Sequence, residues 1–101
     1  LPLGRAAKAR VSFEMPGQAR VLYEALDDAA LDHYELRGNP GRRYDEADAV
    51  TVARQTPAEA GEFFTSFSLT QPGAQAAFKV YVVLKTGNEA GSKTMVVERP
   101  V

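Results

Sequence analysis

The sequence has no cysteine, no tryptophan, one histidine and almost no excess charge of either sign. Without cysteine there is neither a disulfide framework nor a thiolate metal site, although this leaves the compartment open, since many secreted bacterial modules also lack cysteine. With His33 alone, no two-histidine metal site can form within one chain. Twelve Lys+Arg face 13 Asp+Glu for a net charge of -1, and the signs are interspersed. That balance gives no long-range attraction to nucleic acid or to an anionic membrane. No apolar run approaches the roughly 20 residues of a spanning helix, so no membrane insertion is expected. The opening Leu1-Pro2-Leu3-Gly4 has no initiating Met and none of the parts of a signal peptide, which predicts a piece of a longer protein.

What is present is β-forming sequence, and its strongest stretch lies near the end. Residues 78–85 are rich in β-branched and aromatic side chains, a loop over 86–92 holds Gly87 and Gly91, and 93–98 form a shorter second arm. Side chains alternate along a strand, so Phe78, Val80, Val82 and Leu84 share a core face. Lys79, Tyr81, Val83 and Lys85 face outward. The two glycines are expected to supply the positive φ values of the turn.

Upstream, residues 1–8 read as a linker punctuated by Pro2 and Gly4. Ala9, Val11, Phe13 and Met15 alternate cleanly as a strand that ends at Pro16-Gly17. Residues 18–36 fit two descriptions. As strands they give 19–25 with Ala19, Val21, Tyr23 and Ala25 inward, an acidic loop over 27–30, then 31–37 stopping at the turn Gly38-Asn39-Pro40-Gly41. As a helix they give an apolar stripe of Leu22, Ala25, Leu26, Ala29, Ala30, His33 and Tyr34, which local propensity favours. Residues 49–53 form a short edge strand. Thr56-Pro57-Ala58-Glu59 has the form of a helix start, with a turn or two expected through Gly61. Residues 62–70 resume a strand with Phe63, Phe67 and Leu69 on one face, and after Gln71-Pro72-Gly73 residues 74–77 bridge to the hairpin.

The aromatic-x-Val-x-Val-x-aliphatic strand at 78–84, the Gly87-Asn88-Glu89-Ala90-Gly91-Ser92 turn and the short strand closing on Pro100 resemble strands F and G of fibronectin type III domains. Leu69-Thr70-Gln71-Pro72-Gly73 is similar to the turn that precedes strand F in that family, and Tyr23 with Tyr34-Glu35-Leu36 matches its strands B and C. Two aromatics depart from the pattern. Tyr23 stands where strand B usually carries Trp, and its hydroxyl needs a partner. Phe78 stands where a tyrosine corner would begin strand F. The resemblance implies an all-β fold, a seven-stranded antiparallel β-sandwich of immunoglobulin/fibronectin type III type over residues 9–101, with strands A, B and E in one sheet and C, C′, F and G in the other. The competing fold is a small α+β regulatory or ligand-binding domain with a helix at about 18–36.

No residue set has the spacing of an active site, so no catalytic residues, metal ligands or cofactors are expected. His33 is assigned to the outward side of its strand. Asp27, Asp28 and Asp32, and Asp45, Glu46 and Asp48, lack the calcium-loop pattern and read as solvated charge. Arg37, Arg42 and Arg43 flank a soluble turn. Binding candidates are Asn88 and Glu89 at the loop tip and Tyr81 on the outer face. By analogy with the resembled fold, the expected role is a non-catalytic spacer or interaction module of a larger, secreted or envelope-associated bacterial protein, monomeric, with neighbouring domains as its partners.

Overall fold

The computed structural model describes residues 6–15 and 17–101, with the side chains of 66–68 excepted. Eight strands follow one another: β1 (Ala9–Glu14), β2 (Gln18–Tyr23), β3 (Leu31–Pro40), β4 (Val50–Gln55), β5 (Glu62–Ser68), β6 (Gln75–Leu84), β7 (Glu89–Gly91) and β8 (Met95–Glu98). They form two antiparallel sheets, β1-β2-β5 and β4-β3-β6-β7, with β8 continuing along β6 beyond β7. The assignment of strands to sheets is the one that the fibronectin type III resemblance implies.

The core lies between the sheets because the alternating apolar positions of both point there. Val21 and Phe63 from the smaller sheet face Leu36, Val80 and Val82 from the larger, and all five are buried. Tyr23 joins the layers. Its ring centroid lies 4.8 Å from that of Tyr34 in the opposite sheet and 5.2 Å from that of Phe63 in its own. The hydroxyl that a buried Tyr has to satisfy donates to Gln55 Oε1, and Gln55 Nε2 donates in turn to the Glu62 carbonyl, so the polar tip ties β4 to β5. Tyr34 accepts the Leu26 backbone N–H at 2.7 Å and so pins the loop between β2 and β3.

The helix reading of 18–36 fails because both ends of that segment are held in ladders. Val11 pairs with Val21 and Tyr34 with Val82, and long-range pairing overrides the local helical preference. Several boundaries also move, with β4 covering Val50–Gln55 instead of 49–53 and β5 ending at Ser68 instead of residue 70. β2 ends at Tyr23 instead of Ala25. β3 runs through Gly38 and Asn39 to Pro40, because Gly38 pairs with Phe78 and Pro40 with Ala76. For the same reason β6 begins at Gln75, so 75–77 are strand and not a bridge.

Gly38 continues the strand because only a residue without Cβ fits there. A Cβ would sit 2.3 Å from Phe78 Cδ1, so the fully buried ring lies directly over the glycine. The strand count is eight instead of seven because the second hairpin arm is broken at Ser92. The Val80 N–H donates to the Ser92 side-chain oxygen at 3.0 Å, and this replaces a ladder bond to β6 at the position where β7 gives way to β8. The helix start at Thr56 closes as a single 3-10 turn, Pro57–Glu59, with the Thr56 N–H donating to the Glu59 carboxylate. Residues 1–5 of the expected linker, Pro16 and the Phe67 side chain lie outside the described residues. Ala7, placed in that linker, is buried against the core.

Candidate functional site

The outer face of the larger sheet gathers most of the polar chemistry of the chain. The β3–β6 register shifts between Leu31 and His33, after which His33, Glu35 and Arg37 alternate outward opposite Val83, Tyr81 and Lys79 of β6. Both His33 ring nitrogens meet carboxylates, Nδ1 at 2.6 Å from Asp32 and Nε2 at 2.7 Å from Glu35. Glu35 is only 6% exposed. Its Oε1 accepts from Arg37 Nε at 3.2 Å and from the Thr51 hydroxyl at 3.1 Å, while Arg54 stands 3.6 Å from Oε2. Arg37 then clasps Glu89 through two parallel bonds of 2.9 and 2.7 Å and stacks over Tyr81, 3.9 Å from the ring centroid.

A loop covers the far side of this network. Asn39 is buried, donating to the carbonyls of Pro40 and Arg43 and accepting the Asp45 N–H, and this fixes the chain so that Tyr44 lies against Tyr81 with their hydroxyls 3.0 Å apart. Lys79 completes the row 4.9 Å from the Tyr44 ring centroid. Between loop and sheet is an open groove of about 280 Å³ whose lining includes Arg37, Tyr44, Glu46, Tyr81 and Glu89. A wider depression of about 470 Å³ lies where β1 meets β2, bordered by Lys8, Arg10, Tyr23 and Glu24. Burial pushes the Tyr23 phenol there up to about 12.

The electrostatics favour holding charge over moving protons. Burial alone would raise the Glu35 carboxyl, but hydrogen bonds from His33 and Thr51 and the charge of Arg37 outweigh it and keep the group below its ordinary value. Partial burial likewise works against the charged His33 ring, and its bonds to Glu35 and Asp32 more than compensate, raising its pKa. The hydrogen bond from Arg37 lowers Glu89. A general acid near neutral pH needs a raised carboxyl, and a general base needs a free lone pair facing a substrate. Glu35 fits neither role, because it is ionised, buried and engaged by the protein's own donors, and Glu89 is held ionised by Arg37. Among the described residues no group of three or more His, Cys, Asp or Glu could hold a metal ion.

Of the candidates named from sequence, Tyr81 and Glu89 come together through Arg37, while Asn88 stands apart in the β6–β7 turn. There its backbone carbonyl accepts the Leu84 N–H at 2.8 Å. Tyr81 faces outward as expected yet is only 5% exposed, because Arg37 and Tyr44 cover it. Gly87 has the positive φ of 91° expected of it, but Gly91 does not. Gly91 is needed for space instead, since a Cβ would lie 2.9 Å from Tyr81 Cε2. Sequence reasoning missed the joining roles of Glu35, Arg37, Asn39 and Tyr44. Imidazole, carboxylate and guanidinium at alternate positions 33, 35 and 37 were the available signal, because that spacing places all three on one strand face.

No protein-family model matches the chain, and no curated protein matches its sequence. Solved structures do match it in three dimensions. A Fn3-like protein from Clostridium thermocellum superposes over 99% of this chain and 97% of its own, with a TM-score of 0.66 and 13% identity. The fold is fibronectin type III-like. Pectate lyase PelI from Erwinia chrysanthemi, solved in complex with tetragalacturonic acid, matches 91% of this chain with a TM-score of 0.69 and 14% identity. A beta-1,2-glucanase from Parabacteroides distasonis matches 99% with a TM-score of 0.60 and 18% identity. This fibronectin type III-like chain spans 28% of that lyase and 12% of that glucanase.

Proposed function

We propose that the chain is a non-catalytic spacer or interaction module within a larger, secreted or envelope-associated bacterial protein. The observation that carries this reading is the way the fold recurs. It accounts for nearly the whole of one Fn3-like protein and for only a minor share of a pectate lyase and a glucanase, which leaves most of each enzyme outside the matched part. The outer face supports it, since its carboxylates are ionised and engaged by neighbouring side chains. As such a module the chain is monomeric and meets neighbouring domains, and the β6–β7 turn with Asn88 and Glu89 offers polar contacts at one end of the sandwich. Tyr81 contributes from beneath, by positioning Arg37 and Tyr44.

The test is direct. The purified chain is incubated with polygalacturonate and with β-1,2-glucan, and unsaturated product and new reducing ends are measured. The reading expects no turnover above buffer. Turnover that disappears in Glu35→Gln, with folding retained by circular dichroism, would overturn it.

A further inference from the structure

The carboxylates on both sides of His33 have a consequence for its protonation. An ionised carboxylate only accepts hydrogen bonds, so an imidazole meeting one carboxylate at each nitrogen has to carry a proton on both. We propose that Asp32, His33 and Glu35 form a pH-sensitive fastener at the start of β3, closed when the ring is an imidazolium and released at its Asp32 end when the ring becomes neutral.

The direction of release follows from exposure. The Asp32 side chain is 53% exposed and that of Glu35 only 7%, so water can replace the ring at Asp32 and cannot readily do so at Glu35. The neutral ring therefore keeps its proton on Nε2 for Glu35, and Nδ1 gives up Asp32. The surrounding charge is consistent with a bound proton. Besides Asp32 and Glu35, the carboxylate that interacts with the ring is Glu89 on β7. The cations of the same network are Arg37 on β3, bonded to Glu35 and Glu89, and Arg54 on β4, beside Glu35. Three carboxylates face two guanidinium groups, and the imidazolium makes the two sides equal. Glu35 and Asp32 raise the ring's affinity for that proton despite its partial burial.

The released segment can be identified from its bonds. Asp32 falls at the register shift between Leu31 and His33, where the β3–β6 ladder is interrupted. Immediately before it, the Leu31 N–H donates to the Asp28 carbonyl and the Lys85 N–H to the Ala30 carbonyl. Once Asp32 lets go, these two amides become the local record of opening.

The experiment is a titration of the ¹⁵N-labelled chain followed by NMR. The His33 midpoint is expected above the ordinary value of 6.5, and the neutral form is expected with Nε2 protonated. Protection of the Leu31 and Lys85 amides, corrected for intrinsic exchange, is expected to fall at least about threefold as pH passes the midpoint, while Val80 in the middle of β6 keeps its protection. Asp32→Asn, at an exposed site that should not disturb folding, is expected to lower the midpoint and remove the step in protection. A midpoint at or below 6.5, a neutral form protonated on Nδ1, or protection at Leu31 and Lys85 that does not follow the ring would each overturn the proposal.

Discussion

Replacing Gly38 by Ala isolates the close approach that lets β3 run on to Pro40. The new methyl carbon would stand 2.3 Å from Cδ1 and 2.6 Å from Cε1 of Phe78, and 3.0 Å from the Ala77 carbonyl oxygen. Phe78 is fully buried, so its ring can yield only by displacing the core. Overpacking of this kind costs about 1–3 kcal/mol, and removing a glycine from a strand interior returns about 0.5–1 kcal/mol. The net loss is then about 1 kcal/mol at the centre of a range of about 0–2.5, or roughly 4–8 °C in Tm for a domain of this size. Because Gly38 does not have a positive φ, backbone strain contributes nothing and the whole effect has to come from the ring. Urea denaturation of Gly38→Ala, Phe78→Leu and the double variant tests this. Phe78→Leu alone should cost about 1–2 kcal/mol, below the ~3–5 of a complete truncation. The double variant should be more stable than the sum of the single losses by at least about 1 kcal/mol, because the smaller side chain makes room for the methyl. Additivity within about 0.5 kcal/mol would show that the two residues do not compete for the same space and would refute the reasoning.

Other expectations follow from the same contacts. Tyr23→Ala should cost about 3–5 kcal/mol in chemical denaturation, since it empties the centre of the aromatic cluster, and Tyr23→Phe about 0.5–1.5 for the bond to Gln55; a loss below about 1 for the alanine variant would mean an exposed side chain. Gly87→Val should lower the Tm by forcing a β-branched residue to positive φ, whereas Asn88→Ala should leave it unchanged and Glu89→Ala should affect it measurably only at low salt, because that ion pair is half exposed. Stability against pH should form a plateau. The raised His33 contributes fully below about 6.5 and its share is lost as pH rises through its folded value, while the lowered Glu35 and Glu89 contribute above about 4.5 and their share is lost as pH falls through theirs. A profile rising steadily from pH 6.5 to 9 would contradict the sign of the histidine effect.

The strands at 9–14 and 78–84 were legible in sequence because apolar and polar positions change places there, and the sheets assemble as the resemblance implied, whereas 18–23 fitted a helix equally and only its pairing with β1 makes it strand. Gly38-Asn39-Pro40 was misread because its residue types are those of a turn, and their use as strand depends on Phe78, forty residues later. The break at Ser92 was hidden for a similar reason, since it rests on a serine oxygen standing in for a backbone carbonyl on the neighbouring strand. On the outer face, Tyr81 and Glu89 were named as binding candidates, and the structure brings them together. What joins them, Arg37, belonged to a stretch that reads as solvated turn charge, and only the β3–β6 register places it between the two. Local pattern reveals which face a side chain takes, but not which of several charges across the sheet it meets.

The most direct measurement is a nuclear Overhauser spectrum of residues 18–36, the segment that decides between sandwich and helix. The account predicts cross-strand contacts between Val11 and Val21 and between Tyr34 and Val82, with the rings of Tyr23 and Tyr34 in contact across the two sheets. An unbroken run of sequential amide-to-amide contacts from 18 to 36, with the two rings far apart, would contradict it.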